Sequence, residues 1–183
     1  MEPSQEKILL VLDLDETLIY STKSRLSYPE DFMLGEYCVY KRPGLDKFLE
    51  FISQNFSVAI WTSSTEDYAQ EVVKNIFPQN YPLQFIYGRS KCTITFLHES
   101  NEYIYAKNLS KLKHKNYSLE KILIIDDSPE KLKRNYGNHI RVEPFVGAKN
   151  DIELYQLIKY LERIKLSDNV RGIEKRVWRF DIK

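Results

Sequence analysis

Three short apolar runs constrain this chain more than any other feature, because each ends abruptly at polar residues of a chemically useful kind. Ile8-Leu9-Leu10-Val11-Leu12 ends at Asp13-Leu14-Asp15-Glu16-Thr17. Phe56-Ser57-Val58-Ala59-Ile60-Trp61 ends at Thr62-Ser63-Ser64-Thr65, and Lys121-Ile122-Leu123-Ile124-Ile125 ends at Asp126-Asp127. Short apolar runs of this kind read as strands buried on both faces. A carboxylate just past a buried strand is costly unless a cation or hydrogen bonds compensate it.

Between the runs the period changes. Residues 43–56 carry Leu45, Phe48, Leu49 and Ile52 at helical spacing, with Pro43 suited to a first turn. The hydroxyls of 62–65 are expected to cap a second helix bearing Tyr68, Val72, Val73 and Ile76, stopped by Pro78 and Pro82. Residues 83–87 read as a further strand, 139–142 as an edge strand, and 151–164 as an amphipathic helix started by Asn150 or Asp151. Residues 20–40 suggest a loop with a small hairpin, and 92–105 a hairpin around Glu99-Ser100-Asn101-Glu102. Residues 108–118 suggest one helical turn, and Ser128-Pro129 the start of a short helix. Strands alternating with helices predict an α/β fold: a three-layer sandwich with a mainly parallel central sheet and small β-hairpin insertions. The expected division is one domain over 7–164 and a charged C-terminal tail over 165–183.

In such sheets ligands bind beyond the carboxyl ends of the strands. Asp13, Asp15, Thr62, Asp126 and Asp127 all follow strand ends. Several carboxylates in one small space repel, and a divalent cation is the natural relief; oxygen-only ligation favours Mg²⁺. His98, His114 and His139 are scattered, so no zinc cluster competes. A cation, the Thr62 hydroxyl and the Lys107 ammonium together would suit a phosphate group. The six glycines form no P-loop, which argues against ATP hydrolysis of that type.

Composition limits the partners. A net charge of +1 gives no general attraction to nucleic acid or anionic lipid, and no apolar run approaches the length of a membrane span. Charge is uneven, however: nine Lys/Arg face four acids between Tyr105 and Arg141, either as solvated faces or as a positive rim around a phosphate site. Cys38 and Cys92 read as reduced thiols, and the polar start over 1–7 lacks a signal peptide's apolar core. The expectation is a cytoplasmic monomer.

Asp13-Leu14-Asp15-Glu16-Thr17-Leu18, Lys41-Arg42-Pro43-Gly44, Trp61-Thr62-Ser63-Ser64, Lys107-Asn108-Leu109-Ser110 and Ile125-Asp126-Asp127-Ser128-Pro129 occur in the order of one phosphatase branch. The first resembles the DxDx(T/V) signature of haloacid dehalogenase (HAD) phosphatases. The whole set, over about 7–163, resembles the small phosphatases of the RNA polymerase II C-terminal domain and their NLI-interacting-factor-like relatives. The resemblance implies a Mg²⁺-dependent phosphoric monoester hydrolase. Asp13 would be the nucleophile and Asp15 the general acid and base. Asp13, the backbone carbonyl of Asp15, and Asp127 would bind the metal. Thr62, Ser63 and Lys107 would bind the phosphoryl group, Asp126 would orient Lys107, Thr17 would brace the loop, and Arg89 would meet the substrate.

Asp127 stands where the polymerase-tail phosphatases usually have Asn, and the segments 20–40 and 92–105 match them poorly. Three readings follow: a phosphatase for phosphoserine or phosphothreonine in proteins, a phosphatase for a small phosphoester or nucleic-acid end, and a non-catalytic scaffold on the same fold. The short insertions leave an open cleft, which favours the first.

Overall fold

The computed structural model describes residues 7–182; residues 1–6 of the polar start, and Lys183, lie outside it. Strand β1 (Leu9–Leu12) leads into β2 (Ile19–Thr22), β3 (Phe32–Leu34) and β4 (Tyr37–Lys41). Helix α1 (Leu45–Asn55), β5 (Ser57–Trp61), α2 (Glu66–Ile76) and β6 (Leu83–Tyr87) follow, then the hairpin β7 (Thr93–Leu97) and β8 (Glu102–Ala106). Strand β9 (Ile122–Asp126), β10 (His139–Arg141) and α3 (Glu153–Ile164) complete the regular elements.

The central sheet has the order β10-β9-β1-β5-β6, and every pairing in it is parallel. Alternation along β1 shows why both faces are apolar. Leu10 and Leu12 join α1, α2 and α3 in one core, through Phe48, Leu49, Ala69, Val72, Leu154 and Leu157. Leu9 and Val11 face the other way, against Ala59, Trp61, Leu109, Leu112 and Leu132. That second layer consists of 3₁₀ segments, Leu109–Lys115 and Pro129–Asn138, where a short helical turn and a short helix were expected. It still covers the sheet, since Leu109, Leu112 and Leu132 are fully buried.

The insertion after β1 is a three-stranded antiparallel sheet, β2-β4-β3, larger than the single hairpin expected. The hydroxyls before α2 do not cap it: Thr65 occupies the cap position with no side-chain bond to the helix. Gly44, before α1, has a φ of 84°, and a Cβ there would meet the Tyr155 ring at 2.8 Å. Glycine avoids both the backbone penalty and the clash.

The charged segment after residue 164 folds back onto the body. Trp178 is fully buried, its Nε1–H donates to the Arg141 carbonyl at 2.8 Å, and Arg179 pairs with Glu153 on α3. A run that reads as charged in sequence thus buries its one Trp. Among the described residues no helix is long and apolar enough to cross a membrane.

Candidate active site

Register aligns the polar ends of three strands. Leu12 pairs with Ile60 of β5 on one side and Ile125 of β9 on the other. Asp13 donates its backbone N–H to the Ile125 carbonyl at 3.0 Å, and Thr62 donates its own to the Tyr87 carbonyl at 2.9 Å. The chain runs from β1 out to β6 and then returns to β9 on the far side of β1. That reversal is the topological switch point where α/β sheets bind ligands. Glu16, at φ 59°, turns the backbone sharply just after the two acids.

Asp13, Asp126 and Asp127 are all buried, and one carboxylate oxygen from each lies within 4.8 Å of the others. Lys107, fully buried at the end of β8, reaches into this group. Its ammonium donates to Asp126 Oδ2 at 2.5 Å and forms an ion pair with Asp13 Oδ1 at 2.8 Å. The Asp13 contact is ionic without a well-aligned hydrogen bond, so that oxygen retains accepting capacity. Asp126 is held from behind: its Oδ1 accepts from the Ser128 N–H at 2.8 Å, and its carbonyl from His139 Nε2 at 2.8 Å. Thr17 Oγ1 donates to Asp127 Oδ1 at 3.4 Å.

Burial penalises the Lys107 charge most, yet the Asp126 and Asp13 carboxylates outweigh it and hold the ammonium above the usual lysine range. Burial pushes Asp13 up, opposed by Lys107 and reinforced by Asp126. Burial and then Asp13 push Asp127 up. Three buried carboxylates thus face one buried ammonium, which leaves the group short of positive charge. An all-oxygen donor set with a charge deficit fits a hard divalent cation. Asp13 and Asp127 are the side chains best placed to hold one: Asp13 Oδ1 accepts no aligned hydrogen bond and Asp127 accepts only long ones, from Thr17 at 3.4 Å and Ser128 Oγ at 3.2 Å, whereas Lys107 and the Ser128 N–H take up Asp126.

The Asp15 carboxylate is not in this group. It turns into a neighbouring cleft of about 370 Å³ lined by Tyr20, Tyr37, Ser64, Tyr68 and Arg89. Tyr68 donates to its Oδ1, Ser64 Oγ donates to its Oδ2 at 2.9 Å, and Ser21 shares a 2.7 Å hydrogen bond with Tyr68. Burial pushes Asp15 up, while the Tyr68 hydrogen bond pulls it down. Thr62 is buried, and its hydroxyl accepts from the Ser64 N–H at 3.1 Å, which shapes the loop rather than the helix. Ser63 is half-buried beside it, and its carbonyl accepts from Arg89 Nε at 2.9 Å. Arg89 is exposed at the cleft mouth with its guanidinium over the Tyr105 ring.

Two supports were not legible as such. Arg42 is fully buried, binding both Asp151 oxygens at 2.9 and 2.8 Å and the Thr17 carbonyl at 3.1 Å, so it anchors the loop after the acids. Its only sequence signal was its place in Lys41-Arg42-Pro43-Gly44. The hydroxyl pair on Asp15 had indirect signals alone: Ser64 stands in Trp61-Thr62-Ser63-Ser64 and Tyr68 suited a groove wall beside the cleft, but their bonds to Asp15, 49 and 53 residues away, were not legible.

The sheet order, the site at the carboxyl ends and the paired carboxylates define a HAD-type α/β fold. A solved structure described as Fcp1, an essential RNA polymerase II CTD phosphatase, shares it with a TM-score of 0.59 and 22% identity, over 91% of this chain and 52% of that one. The chain belongs to the NLI interacting factor-like phosphatase family, whose profile matches residues 8–171. It is 36% identical, over 93% of its length, to CTD small phosphatase-like protein 2 of Dictyostelium discoideum, of which it spans 30%. It is 31% identical, over 92% of its length, to CTD nuclear envelope phosphatase 1B of Danio rerio, of which it spans 71%.

Proposed function

We propose that the chain is a Mg²⁺-dependent phosphatase that hydrolyses phosphoserine or phosphothreonine in proteins through an aspartyl-phosphate on Asp13. The observation that carries this reading is the split between two strand-terminal acids. Asp13 lies buried against the Lys107 ammonium, and Asp15 lies in the adjoining cleft between two hydroxyl donors. Different surroundings for two nearby carboxyls suit a nucleophile and a general acid.

In the first step an Asp13 oxygen forms a bond to phosphorus, and the bond to the leaving oxygen breaks with its electron pair. Asp15 gives that oxygen its proton. In the second, Asp15, now a carboxylate, takes a proton from water. The water oxygen bonds to phosphorus, the Asp13–phosphorus bond breaks, and phosphate leaves. Lys107 and the Thr62 hydroxyl, with Ser63 beside them, hold the phosphoryl oxygens. Asp126 fixes Lys107 in place. A Mg²⁺ held by Asp13, Asp127 and the Asp15 carbonyl would offset repulsion between the anionic nucleophile and the phosphate. Arg89 at the cleft mouth suits the substrate chain. The open, tyrosine-walled cleft supports a protein substrate over an enclosed metabolite.

We read the domain of 7–164 as the catalytic unit, with the remainder as its folded strap, acting as a monomer without nucleic acid or membrane contact. The relatives named for the nuclear envelope do not support a plain cytoplasmic location, so the compartment is proposed only as an aqueous one in which phosphoproteins are met. The test is hydrolysis of p-nitrophenyl phosphate in Mg²⁺ or EDTA, beside Asp13→Asn, followed by phosphopeptides. Mg²⁺-dependent turnover that falls at least about a thousandfold in Asp13→Asn is expected. Turnover that survives the substitution would refute the nucleophile, and none under any metal would favour a scaffold. A preference for small phosphoesters or nucleic-acid ends over phosphopeptides would refute the substrate class.

A further inference from the structure

Lys131 has no part in the arrangement described so far, yet its backbone is tied to both halves of it. Its N–H donates to the Ser128 carbonyl at 3.2 Å, and its own carbonyl accepts the Lys107 N–H at 2.9 Å. Its side chain is half-buried and lines, with Lys107, Thr93, Thr95 and Asn108, a cavity of about 270 Å³ under the β7–β8 hairpin. Among the described residues its ammonium has no carboxylate within 4.0 Å and no hydrogen-bond partner. Lys133, two residues on, pairs instead with Glu99 at 3.0 Å.

A half-buried ammonium with no direct ion pair or hydrogen bond is available to an entering anion. The positive charge of Lys131 is felt at Asp13, Asp15 and Asp127 alike, lowering the proton affinity of each. It lines one cavity with Lys107, whose ammonium contacts Asp13 at 2.8 Å, so it stands on the hairpin side of the ion pair at which a phosphoryl group on Asp13 would sit. Lys107 cannot meet that group's needs alone. An ammonium has three N–H donors, and Lys107 already spends its charge on Asp126 and Asp13. Three buried carboxylates and a phosphate dianion outweigh the Lys107 ammonium and a divalent cation together, so a further cation is favoured beside the phosphate.

We infer that Lys131 is a second phosphate-binding cation of this site, contacting the phosphoryl oxygens of the substrate from the hairpin side. The inference rests on the proposed phosphatase reading and adds to it a residue outside the recognised motifs. The nine Lys/Arg between Tyr105 and Arg141 are then not one positive rim. Lys107 and Lys131 reach the site, whereas Lys133 is paired at the surface.

The probe is inorganic phosphate, titrated calorimetrically into the full chain in Mg²⁺ and again in EDTA. The wild type is compared with Lys131→Gln and Lys131→Arg, and KM for p-nitrophenyl phosphate is measured alongside. The expected result is a Kd for phosphate raised about tenfold in Lys131→Gln, in both media, and within about threefold of wild type in Lys131→Arg. KM should rise in step, and the gap between Gln and wild type should shrink as salt is added. An unchanged Kd in Lys131→Gln would overturn the inference. So would equal losses in Gln and Arg, which would mark a packing role. Wild-type protein that binds phosphate but turns over nothing would defeat the phosphatase reading and leave the Lys131 comparison decisive. Wild-type protein that neither binds phosphate nor turns over p-nitrophenyl phosphate would overturn both.

Discussion

Replacing Lys107 by Met tests the electrostatic logic of the site without reference to catalysis. The ammonium and the Asp126 carboxylate are fully buried, the Asp13 carboxylate nearly so, and the two contacts are 2.5 and 2.8 Å. At an effective dielectric of about 20 each contact is worth about 6 kcal/mol of direct attraction. Desolvation of the three ions offsets most of that in the native protein. Met removes the attraction but leaves the carboxylates desolvated, so the expected loss of unfolding free energy is about 3–5 kcal/mol. Asp126→Asn in the same background removes one of the stranded charges. The double variant should therefore be more stable than the sum of the single losses by about 2–3 kcal/mol. The assay is urea unfolding followed by circular dichroism at neutral pH in EDTA, so that no cation substitutes for the ammonium. Additivity within about 0.5 kcal/mol would refute the reasoning, because it would mean that Lys107 and Asp126 do not share a buried charge balance.

Tyr68→Phe removes one of the two hydroxyls on Asp15 and should lower kcat for p-nitrophenyl phosphate about tenfold with little change in KM; an unchanged kcat would discount the contact. Trp178→Ala should cost about 3–5 kcal/mol in the same unfolding assay, and a loss below about 1 kcal/mol would return the segment to a free tail. Burial pulls Lys175 down to about 8, so between that pH and the ordinary lysine value the unfolded chain binds more protons than the folded one. Stability should therefore rise from about pH 8 to about 9.5, and Lys175→Met should flatten that rise; an equal slope in both proteins would refute it.

The architecture was legible because its signals are local. Buried parallel strands need unbroken apolar runs, and β1, β5 and β9 are such runs; helices α1, α2 and α3 announce themselves by period. The second layer was less legible, since 3₁₀ segments such as Pro129–Asn138 have no long period and depend on single anchors such as Leu132. The hydroxyls at 62–65 misled for a related reason. Their residue types suit a helix cap, but Asp15 lies within reach of Ser64, and a hydrogen bond to a buried carboxylate outweighs one to an exposed helix end.

Sequence alone determined that carboxylates and a threonine must stand at the ends of buried strands, because the apolar runs fix where each strand stops; that those strands are neighbours came from the sheet order. Only the tertiary structure decided how the acids divide. Asp13 and Asp127 share a pocket with Lys107 and Asp126, whereas Asp15, two residues along the chain, points into a separate cleft. That division depends on partners brought in from β8, α2 and the loop before α2. Their energetics come from burial and distances of a few ångströms, quantities that chain order does not encode.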